Sequence, residues 1–300
     1  MCAAGLCGKV SSMRLRVWIG VLVCVIAGVP GYAQAGPTQQ ELETRLKSQT
    51  LILRGMWDGS KLAFDSQGNL VGRARVLPFS LSAVIVGNVR LSDSKLEIKG
   101  VRAGLMFAQS IGARPYQGSG KIDVVIARDG QHPEELEPAL QKVFSMGIDG
   151  ALAANAPQYW REYLSRRLNP PEAGTPADCG GFDADPLQPK SALSDHSGPD
   201  ENGIYHSAKG NGVTPPRLVR APDPPFTEAA RALKYQGVVI VGLVVDTSGR
   251  PQAVHITRPL GMGLDENAVA SVSQYQFKPA IYQGKPVPVQ ICIEVGYAIN

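Results

Sequence analysis

Side chains able to do acid–base, nucleophilic or redox chemistry are few and dispersed in this chain. The four histidines, His132, His196, His206 and His255, stand at no spacing from one another that would hold a metal. His132 precedes Pro133, Glu134 and Glu135, which puts an imidazole beside two carboxylates, as an acid–base site would. The same residues form the start of a helix, where proline in the first turn and glutamate after it are expected, and they are read that way. His196 and His206 fall in a Pro/Gly-rich stretch and are read as solvated. His255 alternates within a strand and is read as a surface residue. Gly-x-Ser-x-Gly, His-Glu-x-x-His and phosphate-loop patterns are all missing. The expectation is a non-enzyme with no cofactor and no metal.

Of the five cysteines, Cys2, Cys7 and Cys24 belong to the N-terminal segment. There Met13–Arg16 is basic and residues 17–29 are uncharged. Ala33 and Ala35 complete a small-x-small cleavage pattern. An apolar run this short falls below the roughly 20 residues of a spanning helix. Residues 1–35 are therefore read as a cleaved secretory signal, with a short retained anchor as the alternative. Only Cys179 and Cys292 would remain, in a compartment that permits pairing. They are read either as a disulfide or as two inert thiols. The net charge of +4 is mild and unclustered, so no nucleic-acid partner is expected.

Three regions follow the signal, and the class expected is α+β. Residues 38–169 read as an antiparallel β-rich unit of unknown role. Its strand-sized pieces are 50–54, 61–65, 69–76, 80–91, 95–101, 105–108 and 121–127. A helix at 39–49 precedes them, and helices at 133–144 and 157–168 close the unit. The stretch 170–225 holds eleven of the 23 prolines; residues 170–216 are read as a linker, on the order of 40 Å end to end as coil.

Residues 217–300 are the most legible. The run 237–246 is almost wholly β-branched or aliphatic and predicts a buried strand. Asp246 and Gly249 bound a turn, so 250–258 returns antiparallel. Gly263-Leu264-Asp265-Glu266 opens a helix whose two carboxylates sit where the helix dipole favours them. Leu264, Ala268, Val272 and Tyr275 are placed on its apolar face, with Pro279 ending it. In the final strand, 287–297, Val287, Val289, Ile291, Ile293, Val295 and Tyr297 share one face, and Gln290, Cys292 and Glu294 share the other.

Six segments in order carry a resemblance: PPFTEAAR from Pro224, Tyr235-Gln236-Gly237, Val245-Asp246 with Gly249-Arg250, GLDENA from Gly263, FKPA from Phe277, and GKPVPV from Gly284. Together they resemble the C-terminal domain of TonB-family proteins, with Phe226 where many members carry Tyr. The resemblance implies a three-stranded antiparallel sheet packed with two helices. It implies an envelope protein, periplasmic or anchored in the inner membrane facing the periplasm, that supports energised transmembrane transport. It also implies a partner, the TonB-box segment of an outer-membrane transporter, bound by strand addition, and proton-driven motor proteins at the inner membrane. The receiving strand is placed at 287–297, carrying Val289, Ile291, Ile293, Val295 and Tyr297. Phe226, Gln236, Gly237, Phe277, Lys278 and Pro279 frame it, with core packing as the other reading of Phe226 and Phe277. A free edge also allows self-association. Energy transducers of this family place Ser and His on a retained anchor, whereas residues 17–29 hold neither. The alternative is a passive binding or scaffolding protein.

Overall fold

The computed structural model describes residues 36–108, 110–116, 120–170, 198–206 and 212–299. Residues Gly36–Asn300 form one compact unit. Its first part contains α1 (Gln39–Leu46), β1 (Thr50–Leu53), β2 (Lys61–Phe64), β3 (Ala83–Leu91), β4 (Lys95–Met106), β5 (Gly112–Pro115), β6 (Lys121–Ala127), α2 (Leu136–Val143), β7 (Phe144–Ser145), α3 (Gly150–Asn155) and α4 (Gln158–Leu168). The strands make one sheet in the order β2-β6-β4-β3-β1-β7, with β5 on β4.

Strand periodicity decides which helices cover which face. Leu51 and Leu53 of β1 and Val84 and Val86 of β3 point to one side, where Leu42 and Leu46 of α1 and Leu136 and Leu140 of α2 close the core. Their neighbours Ile52 and Ala83 point the other way, against Leu152 of α3 and Trp160 and Leu164 of α4. Thr38 caps α1 in a reciprocal capping box with Glu41. Asp149 caps α3 and also holds Arg54 through two bonds of 2.5 and 2.6 Å. The Arg54 guanidinium keeps the Asp149 carboxyl below the usual carboxylate range.

Several sequence expectations change here. The sheet is not a plain meander, because β2 pairs with β6 in parallel. Residues 69–76 form no strand and make only isolated bridges, Phe64 to Leu70 and Trp57 to Val76; the segment is interrupted by Gly72 at a positive φ of 97°. The two pieces expected at 95–101 and 105–108 are a single strand, β4, and α3 and β5 were not anticipated.

The second part contains β8 (Tyr205–His206), β9 (Val213–Thr214), β10 (Arg217–Arg220), α5 (Glu228–Ala232), β11 (Gly237–Val245), β12 (Pro251–Arg258), α6 (Leu264–Val272), β13 (Gln276–Lys278), β14 (Ala280–Tyr282), β15 (Lys285–Val287) and β16 (Val289–Tyr297). The expected three long antiparallel strands lie in the order β12-β11-β16, and β8 extends the sheet beyond β16. Helices α5 and α6 cover one face, joining Ala230, Leu264, Ala268 and Val272 to Val239, Val241 and Val295. Asp246 fixes the β11–β12 turn by accepting the Ser248 and Arg250 amides at 2.8 and 2.9 Å, with Gly249 at φ 81°.

Two expectations fail in this part. Helix α6 stops at Val272 rather than running to Pro279, because Gln276–Lys278 pairs with β10 as β13. Tyr275 is buried but lies beyond the helix. The stretch read as linker also contributes structure: β8 and β9 both fall within 170–216 and pair with β16 and β14.

The two parts share a core. Ile256 of β12 and Val269 of α6 pack with Phe79, Leu105 and Trp160. The loop ahead of α6 runs beside β4, where the Phe107 amide donates to the Leu260 carbonyl at 2.9 Å and the Met262 amide to the Leu105 carbonyl at 2.8 Å. Gly261, at φ 107°, sits where any Cβ would lie 2.1 Å from the Leu105 oxygen. Only glycine admits this approach.

Candidate functional site

Strand β16 pairs residue for residue with β11, from Val245 opposite Val289 to Gly237 opposite Tyr297. Backbone groups in a strand point alternately to its two edges. The Pro288 carbonyl accepts the Tyr205 amide at 3.0 Å on the outer edge, so even-numbered residues direct their N–H and C=O outward and odd-numbered ones serve β11. Beyond Gln290 no strand lies along the outer edge of β16 among the described residues. Glu294 and Gly296, both exposed, present outward backbone groups along that edge.

The side chains follow the same parity. Val289, Val295 and Tyr297 are buried, and Ile291 and Ile293 pack against the same core. These five residues hold the strand in place, and the outward backbone groups belong to their even-numbered neighbours. The Tyr297 hydroxyl donates to the Leu264 carbonyl at 2.8 Å, tying the end of β16 to the start of α6, and burial raises its pKa.

The framing residues separate into two groups. Phe226 meets the Tyr297 ring edge-on at 5.2 Å, with Arg231 over its other side at 5.7 Å. The Gln236 side-chain oxygen accepts the Ile299 amide at 2.9 Å, and Gly237 pairs with Tyr297. These three cluster at the far end of β16. Phe277 is buried against the core and donates its amide to the Gly249 carbonyl; Lys278 is opposite Arg217. Pro279 follows them, between β13 and β14. That segment lies by the Asp246–Gly249 turn, near the strand's beginning, so the two groups do not converge. Cys292 is disulfide-bonded; Cys179 and every other cysteine, with Ala33 and Ala35, lie outside the described residues.

Asp265 and Glu266 were expected as helix-dipole carboxylates and do more than that. Asp265 is fully buried and accepts the Leu260 and Gly261 amides at 2.6 and 2.7 Å. Glu266 reaches into the first part of the chain, accepting the Ser80 amide at 3.1 Å, the Ser80 hydroxyl at 2.8 Å and the Trp160 indole N–H at 3.1 Å. The Gly263 amide donates in turn to the Ser80 hydroxyl oxygen. No signal in the sequence paired Glu266 with Ser80, 186 residues away.

Burial raises the pKa of both carboxyls, and the charge of Glu266 adds to the rise at Asp265, against the pull of the hydrogen-bond donors on each. A folded-state pKa above the unfolded one gives stability that is complete below the ordinary carboxylate range and is lost as pH rises through the raised value. The melting temperature is therefore expected to fall by several degrees between about pH 5 and about pH 8. Glu266→Gln should flatten that profile in differential scanning calorimetry; an unchanged slope would assign the dependence to other groups.

The remaining polar chemistry is scattered. His132 lies 3.3 Å from Glu134, His206 3.9 Å from Asp200 and His255 3.3 Å from Glu162, on three separate elements. Among the described residues no group of three or more His, Cys, Asp or Glu is placed to hold a metal. No helix among them is long and apolar enough to cross a membrane.

All six segments lie within the stretch matched by a family comparison. Residues 222–299 match the family model described as the Gram-negative bacterial TonB protein C-terminal. This part of the chain is a TonB-type C-terminal domain. Among solved structures, the solution NMR structure of the Pseudomonas aeruginosa TonB CTD is similar at 17% identity and a TM-score of 0.25, covering 32% of this chain and 95% of that one. No curated protein matches the chain.

Proposed function

We propose that this is an envelope protein whose C-terminal domain receives an extended segment of an outer-membrane transporter on the outer edge of β16, in support of energised transport, and that it is not an enzyme. The observation that carries the reading is the pair of outward backbone groups at Glu294 and Gly296, beside no other strand among the described residues. Strand addition draws its affinity from such groups, which recognise an extended chain largely regardless of its side chains. The buried odd-numbered residues keep the edge straight and rigid, so little ordering cost falls on the receptor.

The backbone parity selects the test. Proline at Ile293 or Val295 would remove a bond to β11 and damage the sheet itself. Glu294→Pro removes an outward donor and fills its place with the ring, leaving the β11 ladder intact. Binding of a transporter-derived TonB-box peptide is expected to drop at least tenfold, with an unchanged far-UV spectrum. Equal binding by a folded Glu294→Pro variant would reject the site.

A second reading, passive periplasmic binding without energy transduction, is favoured by residues 17–29, which lack both Ser and His. The N-terminal sequence of the protein isolated from its native envelope separates the two. A mature chain starting at Gly36 supports the passive role, and a retained segment in the inner-membrane fraction supports the transducer.

A further inference from the structure

The outer edge of β16 is already occupied at its beginning. Asp200 closes a tight turn: its side chain accepts the Asn202 and Ile204 amides at 2.8 Å each, its carbonyl accepts the Gly203 amide, and Gly203 adopts φ 76°. Tyr205 and His206 then run parallel to β16, opposite Val289 and Gln290. The Tyr205 amide donates to the Pro288 carbonyl at 3.0 Å, and the same register sets the Tyr205 carbonyl against the outward Gln290 amide. The Tyr205 ring packs on Tyr282 at 5.0 Å, fixing the clip to β14.

We propose that this clip, residues 200–206, is a specificity element that sets the register and length of the strand the domain can receive. The inference rests on strand addition at β16. Because Tyr205 uses the outward groups of residues 288 and 290, an incoming strand is left the stretch 291–297, about 23 Å at roughly 3.3 Å per residue. A partner that paired further back would have to break the Tyr205–Pro288 bond and the contact with Tyr282. The preferred ligand is therefore a short extended segment that pairs over no more than about seven residues, in line with β8.

A peptide-length series tests this on the full chain. Synthetic peptides of about six, eight and ten residues, copying the periplasmic N-terminal segment of an outer-membrane transporter, are titrated against the native protein and Tyr205→Pro, which lacks the donating amide. Hydrogen exchange at β11 verifies that the variant keeps its fold. In the native protein, affinity is expected to level off by the shortest peptide. In Tyr205→Pro the longest peptide should bind about tenfold tighter than the shortest, through roughly two additional backbone hydrogen bonds. The same plateau in both proteins, or the same gain in both, would overturn the clip's role while leaving strand addition standing. No binding by either protein at any length would overturn strand addition, and this proposal with it.

Discussion

Asp265→Ala is expected to cost about 3–5 kcal/mol and to lower the melting temperature by roughly 10 °C. The carboxylate is fully buried and is the acceptor for two consecutive amides, at Leu260 and Gly261. Truncation would leave both N–H groups buried with no partner, at about 1–3 kcal/mol each, and would add a small cavity. The damage would spread, because this loop also presents Leu260 and Met262 to β4. Asp265→Asn keeps the volume but turns an amide N–H₂ toward one of the two donors, so it should recover only part of the loss. Thermal denaturation of the three proteins checks this. A fall under about 1 kcal/mol in Asp265→Ala would show that the loop holds its shape without the carboxylate.

Trp160→Ala should cost a similar amount, about 3–5 kcal/mol, by a different route. The indole is fully buried between the β-rich part and the TonB-type domain. Its ring packs with Phe79 at 4.9 Å, Phe107 at 5.5 Å and Tyr163 at 5.9 Å. Its N–H is one of three donors to Glu266. Removing it takes away packing on both sides and one hydrogen bond from a buried carboxylate. Because the two parts share this core, the native protein is expected to melt in one step and the variant in two. A single transition displaced by less than about 2 °C would contradict a cooperative interface at this residue.

The legible parts of the chain were those specified by local pattern. Alternation through Ile291, Ile293, Val295 and Tyr297 identified β16 and its buried face, and Asp246 with Gly249 located the β11–β12 turn. The polar helix expected at 39–49 is α1, ending at Leu46. These features need only neighbours in sequence. What the sequence concealed depends on long-range pairing. Asp265 and Glu266 look like dipole-compensating residues, and only the fold brings Ser80 and Trp160 to Glu266. Residues 69–76 have strand composition but make only isolated bridges, and Gly72 interrupts them at a positive φ. The Gln276–Lys278 strand was read as helix because Tyr275 continues the α6 periodicity, yet pairing with β10 overrides that local preference. The clip at Asp200–His206 was hidden in proline-rich composition, although its Asp and Gly are ordinary turn residues.

The candidate site divided in the same way. The final strand was legible from its alternation, but which of its groups face outward was not. Its aliphatic side chains form the core, and the outward backbone belongs to Glu294 and Gly296. Phe226 and Phe277 likewise serve packing, at opposite ends of the strand.

Residue-resolved hydrogen exchange of the full chain, with and without a TonB-box peptide from an outer-membrane transporter, tests strand addition most directly. The Glu294 and Gly296 amides should exchange readily in the free protein and become protected by tenfold or more when the peptide binds, while β11 amides stay unchanged. Bound peptide with no added protection at these two amides would show that the partner docks elsewhere.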